Sequence, residues 1–400
     1  MTIFPNPFRP GAGQKPPYLA GRTAEQNEFI KLLEQRPILQ NLVITGLRGV
    51  GKTVLLESLH PIAINKNWLW CGTDLSESAS LSEKNLATRI ITDIASVTSS
   101  FSAVEVDNTP IGFSSVESKL EVTANFHYLM DVYNETPGLE SDKLKSVLET
   151  VWTIVKEKVQ GIVMAYDEAQ ILKDQASDKQ YPLSLLLEVT QYLQRKQIPY
   201  LLLLTGLPTL FPNLVETRTY AERMFHIVHL NKLNENESKD AISLPTQADT
   251  CPVRFGESAI QEIIKYSGGY PYFIQFLCKE TFDSYLFQLQ LQIEKPKIVL
   301  PEIIRKLDTD FYAGRWAKTT DKQKDLMNII AQLPNADTDF TLAEITEKSK
   351  EISTKPFSSS SINQLLTKLV ECGLIYKYRH GRYSFAVPLL SGFINRQNEF

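Results

Sequence analysis

The sequence has few cysteines, and no two of them lie close together. The 400 residues include only four, and no CxxC pair occurs: Cys71, Cys251, Cys278 and Cys372. This spacing argues against a zinc site and against a disulfide framework, and it is typical of a reducing compartment. We therefore expect a cytoplasmic protein.

Long apolar runs are absent as well. Even the run LLLLTGL at 201–207 is far shorter than the roughly 20 residues that span a bilayer. The first residues, MTIFPNPFRPGAGQ, lack the apolar core of a signal sequence. We expect no membrane partner, and we interpret 201–207 as part of a buried strand.

The chain also lacks a large excess of charge of either sign. Its formal net charge is −4, so it is no general binder of polyanions, and contact with nucleic acid would need a local basic patch. Its content of 43% apolar and 22% charged residues is ordinary for a globular protein. The length of 400 residues predicts two or three domains.

A phosphate-binding loop is present. Residues 46–53, GLRGVGKT, match G-x-x-x-x-G-K-[ST] directly after a predicted apolar strand at 42–45. The glycines allow backbone N–H groups to surround a phosphate, and the helix that begins near Lys52 adds its positive end. Lys52 is expected to bridge the β- and γ-phosphates, and Thr53 to bind Mg²⁺. The predicted nucleotide-binding residues here are Gly46, Arg48, Gly49, Val50, Gly51, Lys52 and Thr53.

An acidic pair follows a second apolar strand, predicted at 162–166. Asp167 would reach the sheet edge as a metal ligand, and Glu168 would polarise an attacking water. The competing interpretation is a helix N-terminus that simply favours acidic residues. The phosphate loop upstream favours the catalytic interpretation, so the pair predicts hydrolysis of the nucleotide.

Strands alternate with helices up to about residue 233, which predicts a doubly wound parallel sheet covered on both faces, an α/β fold. We expect an exposed, irregular insertion near 101–120, where Ser, Thr, Asn and Asp are frequent. Beyond 235 the pattern is helical as far as a linker near 293–301. The predicted helices are 24–34, 52–60, 144–159, 185–194, 235–243, 258–266 and 272–286, and the predicted strands are 42–45, 68–71, 162–166 and 200–204.

The last 80 residues predict three helices and then a β-ribbon at 374–378 and 383–387. This is the order of a winged helix. The ribbon tip carries cationic groups suited to phosphate contact. The whole of residues 301–400, however, is hardly basic, because 14 Lys and Arg are nearly balanced by 12 Asp and Glu. Contact with DNA and docking of a protein effector both stay open. The ribbon-tip residues are Lys377, Arg379, His380 and Arg382.

These motifs resemble the AAA+/STAND group of P-loop ATPases, particularly the origin-recognition type of bacterial and archaeal ATPases. Leu19-Ala20-Gly21-Arg22-x-x-Glu25 is similar to the family's element before the phosphate loop, so the resemblance implies that Arg22 lies on the adenine side. It implies that Thr205 senses the γ-phosphate and that Pro271, in Gly268-Gly269-Tyr270-Pro271, lies near the base. It also favours ATP over GTP, and no guanine-binding Asn-Lys-x-Asp occurs.

The segment Thr219–Phe225 is similar to the family's arginine-finger segment. The resemblance implies that Arg223 stabilises the transition state in a neighbouring subunit, with Arg218 as second choice and a surface salt bridge as the competing interpretation. We expect a homo-oligomer when ATP is bound. The run Asp167-Glu168-Ala169-Gln170 also resembles the DEAD-type helicase box, but the chain shows no pattern for the second domain that such helicases need.

The expected architecture is an extended Pro/Gly-rich arm at 1–18, a P-loop ATPase core at 19–233, a helical lid at 234–295 and a winged-helix domain at 296–400. The expected function is a slow ATP-hydrolysing switch that uses Mg²⁺ and acts with DNA. One alternative is a signalling or defence ATPase whose winged helix docks a protein effector. A second is structural nucleotide binding without turnover, against which the Asp167-Glu168 pair argues.

Overall fold

The computed structural model describes residues 4–11, 13–107, 110–111, 114–115, 118–379 and 381–398. Its internal contacts divide the chain into two compact units. The sheet unit consists of Thr23–Thr45 and Leu55–His229. The helical unit consists of the described parts of Met1–Arg22, Gly46–Val54 and Leu230–Phe400. The predicted four-part division is drawn on other grounds and stays a prediction.

Five strands of the sheet unit form one parallel sheet in the order β2-β7-β8-β1-β9. Strands β1, β7 and β8 are buried along their whole length, as expected for a parallel sheet with helices on both faces. The doubly wound α/β class is therefore confirmed. The strands of this unit are β1 (Asn41–Thr45), β2 (Trp68–Cys71), β3 (Ser102–Asp107), β4 (Pro110–Ile111), β5 (Ser114–Ser115), β6 (Ser118–Thr123), β7 (Gly161–Tyr166), β8 (Tyr200–Gly206) and β9 (Phe225–His229).

The helices between these strands begin where the sequence offers side-chain caps. The Ser82 hydroxyl accepts from the Asn85 N–H at the start of α3, and the Asn125 amide oxygen accepts from the Tyr128 N–H at the start of α4. Helix α2 begins at Lys52, within the phosphate loop. The helices are α1 (Thr23–Leu33), α2 (Lys52–Asn65), α3 (Glu83–Thr98), α4 (Phe126–Glu135), α5 (Glu140–Val155), α6 (Pro182–Arg195), α7 (Leu210–Thr217) and α8 (Ala221–Met224).

The insertion predicted near 101–120 is not irregular throughout. Strands β3 and β6 pair antiparallel from Ser102 opposite Thr123 to Asp107 opposite Ser118, and β4 pairs with β5. The prediction of irregular structure was wrong because it gave weight to the polar residues. The alternation in SAVEVD and SKLEVT, which is typical of strands, outweighs them. The sequence analysis also predicted that this segment is exposed. That prediction concerns the side chains of 103–121, which lie outside the described residues.

The helical unit holds the remaining elements. Helix α12 begins at the end of the predicted linker near 293–301, because Pro301 fits the first turn of a helix, where its missing N–H has no partner to lose. A π-helix follows it. The elements are α9 (Glu235–Ser243), α10 (Glu257–Ser267), α11 (Pro271–Gln290), α12 (Leu300–Leu307), the π-helix Asp308–Ala313, α13 (Gly314–Trp316), α14 (Asp321–Ala331), β10 (Phe340–Thr341), α15 (Leu342–Ile352), α16 (Ser359–Glu371), β11 (Ile375–Arg379), β12 (Arg382–Phe385) and α17 (Leu390–Gln397).

The C-terminal part of this unit has the three helices and the β-ribbon that the sequence predicts, and one more strand. The two-residue strand β10 pairs with β12, so the ribbon becomes a three-stranded sheet in the order β10-β12-β11. The π-helix is fixed on α17: the Tyr312 hydroxyl donates to the Pro388 carbonyl at 2.9 Å, and the Tyr312 ring stacks on Phe393.

The described residues of the N-terminal arm, 4–18 without 12, form neither a helix nor a strand. Phe8 is buried in the apolar core of the helical unit and packs on Phe282, and the Asn6 amide donates to the Lys279 carbonyl at 2.9 Å. These contacts place the described start of the arm along α11. An extended arm over 1–18 stays a prediction. Across the part of the chain that the structure describes, no helix is both long enough and apolar enough to cross a membrane.

Candidate functional site

The phosphate loop, residues 46–53, belongs to the helical unit. Gly49 has φ of +78° and Gly51 has φ of +91°, conformations that side-chain-bearing residues rarely adopt. No atom lies within 4 Å of the place where a Cβ on Gly51 would stand, so its backbone conformation rather than crowding requires glycine there. The glycines thus hold the backbone in the curled conformation that the motif predicts.

The Lys52 ammonium lies inside this loop. Lys52 is only 8% exposed, and Nζ donates to the carbonyls of Gly46 and Leu47 at 3.1 Å each. Thr53 is the second residue of α2 and is half-buried. A lysine that bonds backbone carbonyls of its own loop can exchange them for phosphate oxygens when a phosphate binds.

The predicted lid motif contacts the loop directly. Pro271 opens α11, and the N–H of the next residue, Tyr272, donates to the Gly49 carbonyl at 3.1 Å. N–H groups in the first turn of a helix have no partner within the helix, so the loop carbonyl satisfies one of them. Gly269 approaches Leu233 so closely that a Cβ would lie 2.4 Å from its carbonyl oxygen. Pro271 therefore lies beside the loop within the same unit.

Arg22, predicted on the adenine side, is buried at 5% exposure. One guanidinium nitrogen donates to the Val50 carbonyl at 3.0 Å and to the Asn231 carbonyl at 2.9 Å. Through these two bonds Arg22 connects the phosphate loop to the segment that follows β9. Contact of Arg22 with a nucleotide stays a prediction.

In the sheet unit, Asp167 is buried at the end of β7 with 2% exposure. Its carboxylate oxygen Oδ1 accepts from the Glu168 N–H at 2.8 Å and from the hydroxyl of the fully buried Thr205, at the end of β8. Its backbone N–H donates to the Thr73 carbonyl at 3.3 Å. The structure thus brings Asp167 and Thr205 together, and Thr205 orients the carboxylate. Sensing of the γ-phosphate by Thr205 stays a prediction.

Glu168 is exposed and has a left-handed backbone, with φ of 52° and ψ of 31°. For a residue with a side chain this conformation costs roughly 1 kcal/mol or more. Such strain persists only where surrounding contacts enforce it. Here the amide nitrogen of Gln170 donates to the Glu168 carboxylate, and the Gln170 amide oxygen accepts from the Leu207 N–H at 3.0 Å.

Gln170 is therefore a positioning residue that the sequence analysis missed. It connects the predicted base Glu168 to the loop after β8, and a Cβ on Gly206 would lie 2.6 Å from its amide oxygen. The signal was available as the fourth residue of the run Asp-Glu-Ala-Gln. That run was compared only with helicases, so no role was given to the glutamine.

Asp74 is a second residue that the sequence analysis missed. It pairs with Asp167 in a short parallel bridge beyond the end of β2. Partial burial, followed by the negative charges of Asp167, Glu168 and Glu57, raises the pKa of Asp74. Its sequence signal is an acidic residue three positions after an apolar strand. Among the described residues, no group of three or more His, Cys, Asp or Glu side chains is arranged to hold a metal ion by itself.

Both arginines of the predicted finger segment are exposed on the sheet unit. Partial burial raises the pKa of the Tyr220 hydroxyl, against the opposing charge of Arg218. Among the described residues, the Arg223 guanidinium has no hydrogen bond or ion pair. Action of Arg223 as a finger stays a prediction.

The predicted DNA-contacting residues of the ribbon differ in their surroundings. Lys377 is exposed, whereas Arg382 forms an ion pair with Asp339 at 2.8 Å. The Arg379 side chain and His380 lie outside the described residues. The exposed positions of α16 include uncharged polar groups, one lysine and one carboxylate: Asn363, Gln364, Thr367, Lys368 and Glu371.

The predicted site residues thus fall into two groups. The helical unit holds Arg22, residues 46–53 and Pro271, and the sheet unit holds Asp167, Glu168, Thr205 and Arg223. Hydrogen bonds connect Arg22 and Pro271's helix to the loop in the first group, and Asp167 to Glu168 and Thr205 in the second. Arg223 is not part of these connections among the described residues. Joint binding of Mg²⁺ by Thr53 and Asp167 stays a prediction.

Comparison with known proteins bears on the fold. A family profile described as "Domain of unknown function (DUF8462)" matches residues 309–394, from the π-helix to α17. No curated protein sequence matches the chain. Among solved structures, the Walker-type ATPase PABY2304 of Pyrococcus abyssi is 14% identical with a TM-score of 0.58, over 94% of this chain and 96% of that one.

The ORC2 protein of Aeropyrum pernix in its ADP form is 14% identical with a TM-score of 0.56, over 98% of this chain and 97% of that one. The same protein in ADPNP–ADP complexes is 13% identical with a TM-score of 0.53, over 98% of each chain. At such low identity the likeness shows the fold alone. The chain has the fold of Walker-type ATPases of the origin-recognition kind, as the resemblance of its motifs implied.

Proposed function

We propose that this chain is an AAA+/STAND-like switch that binds and hydrolyses ATP and acts with DNA through a C-terminal winged helix. The observation that carries the ATPase part is the phosphate loop, with Gly49 and Gly51 at positive φ and Lys52 held inside it. ATP is the favoured nucleotide because the solved ORC2 structures are named for ADP and ADPNP. A cytoplasmic homo-oligomer is part of the same proposal.

The proposed chemistry assigns one task to each residue. Lys52 exchanges its loop carbonyls for phosphate oxygens and neutralises the charge that develops during transfer. Glu168 accepts the proton of the attacking water, and Gln170 holds the Glu168 carboxylate in place. Thr53 and Asp167 are the proposed holders of Mg²⁺, which supplies charge stabilisation when bound.

Arg223 is the proposed finger. Its exposure and its lack of a partner within the described part of the chain support action on a neighbouring subunit. A guanidinium is suited to this task because it keeps its charge and presents several donors in one plane.

The DNA part rests on the order α14, β10, α15, α16, β11, β12, which is that of a winged helix. The exposed positions of α16 offer amide and hydroxyl groups and Lys368, and exposed lysines precede and follow the helix in sequence at Lys355 and Lys377. Such a face can contact base edges while the lysines contact phosphates. Docking of a protein effector is the alternative, and the ion pair of Arg382 with Asp339 favours it, because that pair reduces the charge available to DNA.

Replacing Glu168 with Gln tests the assignment of the base. We expect kcat for ATP hydrolysis to fall roughly 10²- to 10⁴-fold, because the amide cannot accept the proton of water, while ATP affinity is retained. Turnover is measured by phosphate release and affinity by equilibrium binding. The matched control is Glu157→Gln, an exposed glutamate in the same unit. Unchanged turnover in the Glu168 variant contradicts the assignment.

Replacing Asp74 with Asn tests the acidic cluster through pH. The raised pKa of Asp74 means that its charged form opposes folding, and this penalty is absent below its ordinary pKa and present at neutral pH. We expect Asp74→Asn without Mg²⁺ to raise the melting temperature at pH 7 and to raise it less near pH 4. Glu77→Gln, on the following exposed turn, is the control. An equal shift at both pH values would show that charge repulsion is not the cause.

A mixing experiment tests Arg223. The Arg223→Gln variant should lose up to ~10³-fold in kcat, because a finger stabilises transition-state charge. Adding the Glu168→Gln variant, whose Arg223 is intact, should restore part of the activity if the finger acts between subunits. Arg218→Gln is the control and should retain activity. Arg223→Gln subunits that stay inactive after mixing argue against a finger in trans.

A salt titration separates DNA from an effector. With a fluorescent duplex, we expect the logarithm of the binding constant to fall linearly with the logarithm of the salt concentration. Lys368→Gln or Lys377→Gln should each reduce the magnitude of that slope by about 1. Lys322→Gln, exposed on α14, is the control. Salt-insensitive binding, or none with either ATP or ADP, rejects the DNA proposal and favours the effector.

A further inference from the structure

The N-terminal half of the phosphate loop is held by later segments of the helical unit. The Gly49 carbonyl accepts from the Tyr272 N–H at 3.1 Å. A Cβ on Gly373, just after α16, would lie 3.7 Å from a guanidinium nitrogen of Arg48. The loop therefore bonds α11, and the Arg48 side chain lies close to the turn after α16.

A stack of side chains continues from Tyr272 to Arg315. The Tyr272 and Phe311 rings have centroids 4.9 Å apart, and the Arg315 guanidinium lies over the Phe311 ring, 4.9 Å from its centroid. Arg315 also donates to the Phe311 carbonyl at 2.7 Å. Phe311 belongs to the π-helix, an element that is rare and often found at functional sites. An aromatic face and a carbonyl thus fix Arg315, rather than a carboxylate.

The stack leads from Arg315 through Phe311 to Tyr272, whose N–H bonds Gly49, the residue after Arg48. Burial, followed by the positive charge of Arg48, lowers the pKa of Arg315. Neither guanidinium forms an ion pair with a carboxylate among the described residues, and Asp310, whose charge acts on the Tyr272 hydroxyl, is exposed. Holding two like charges together costs free energy, which an anion between them would recover.

The position of Lys52 indicates which anion this is. A P-loop lysine reaches the β- and γ-phosphates, and here its ammonium lies on the carbonyls of Gly46 and Leu47. Arg48 is the next residue of the loop. The pair of arginines is therefore adjacent to the part of the loop expected to receive the terminal phosphate.

We propose that Arg315, together with Arg48, forms an anion subsite that contacts the γ-phosphate of ATP bound in the phosphate loop. The inference rests on the proposed ATP binding and extends it, because Arg315 lies in the C-terminal segment, outside every motif of the sequence analysis. Through this contact the segment that begins with the π-helix distinguishes ATP from ADP.

The test compares nucleotide affinities of wild type and Arg315→Gln in the full chain, by equilibrium binding with Mg²⁺. We expect the affinity for ATP to fall roughly 10- to 100-fold, the loss of one charged hydrogen-bonding group, and the affinity for ADP to change little. Arg315→Lys keeps the charge, so its affinity for ATP should fall less than that of Arg315→Gln. Lys318→Gln, an exposed cation in the same segment, is the control.

The melting temperature without nucleotide separates binding from a structural role. Removing one of two repelling charges should leave it unchanged or raise it, whereas a structural role for Arg315 predicts a decrease. Inorganic phosphate serves as a further probe. If Arg315→Gln lowers the affinity for free phosphate as much as it lowers the affinity for ATP, the arginines form a general anion site and the γ-phosphate contact is rejected.

Two results overturn the proposal in different ways. If wild type binds ATP and Arg315→Gln binds it equally well, or if ATP and ADP affinities fall equally, the subsite is rejected while the proposed ATPase stands. If wild type does not bind ATP at all, the proposed function and the subsite are both rejected.

Discussion

The hydrogen bond from the Tyr272 N–H to the Gly49 carbonyl is the contact on which the helical unit depends. It exists because Gly49 adopts a positive φ and because the first turn of α11 has N–H groups without partners in the helix. The loop and α11 thus fix each other's conformation. Tyr272 also packs on Phe311, so a rearrangement of the loop would reach the π-helix by contact, without a long-range mechanism.

In the sheet unit, Asp167 is the residue whose hydrogen bonds connect the other site residues. Its carboxylate orders the Glu168 N–H and the Thr205 hydroxyl, and its backbone bonds the segment after β2. The left-handed backbone of Glu168 is tolerated because these bonds and Gln170 enforce it. Burial keeps Asp167 fixed while Glu168 stays exposed, and this difference suits a metal ligand beside a base that must meet water.

The sequence predicted the elements that local pattern determines. Buried strands such as β7, and capped helices such as α9, came out with nearly the observed bounds, because burial and capping act within a few residues. The β3–β6 pair was missed because its signal needs two segments compared with each other. Gln170 and Arg315 were missed for the same physical reason: their partners, the Leu207 N–H and the Arg48 charge, lie 37 and 267 positions away in sequence.

Each unit also carries charges of one sign that repel one another. Arg48 and Arg315 do so in the helical unit, and Asp74, Asp167 and Glu168 do so in the sheet unit. A cluster of like charges opposes folding unless a ligand of opposite charge relieves it. The ligands of opposite sign are an anionic phosphate for the arginines of the helical unit and a divalent cation for the carboxylates of the sheet unit. Binding of such a ligand only to the folded state would stabilise the protein, which links its stability to its nucleotide state.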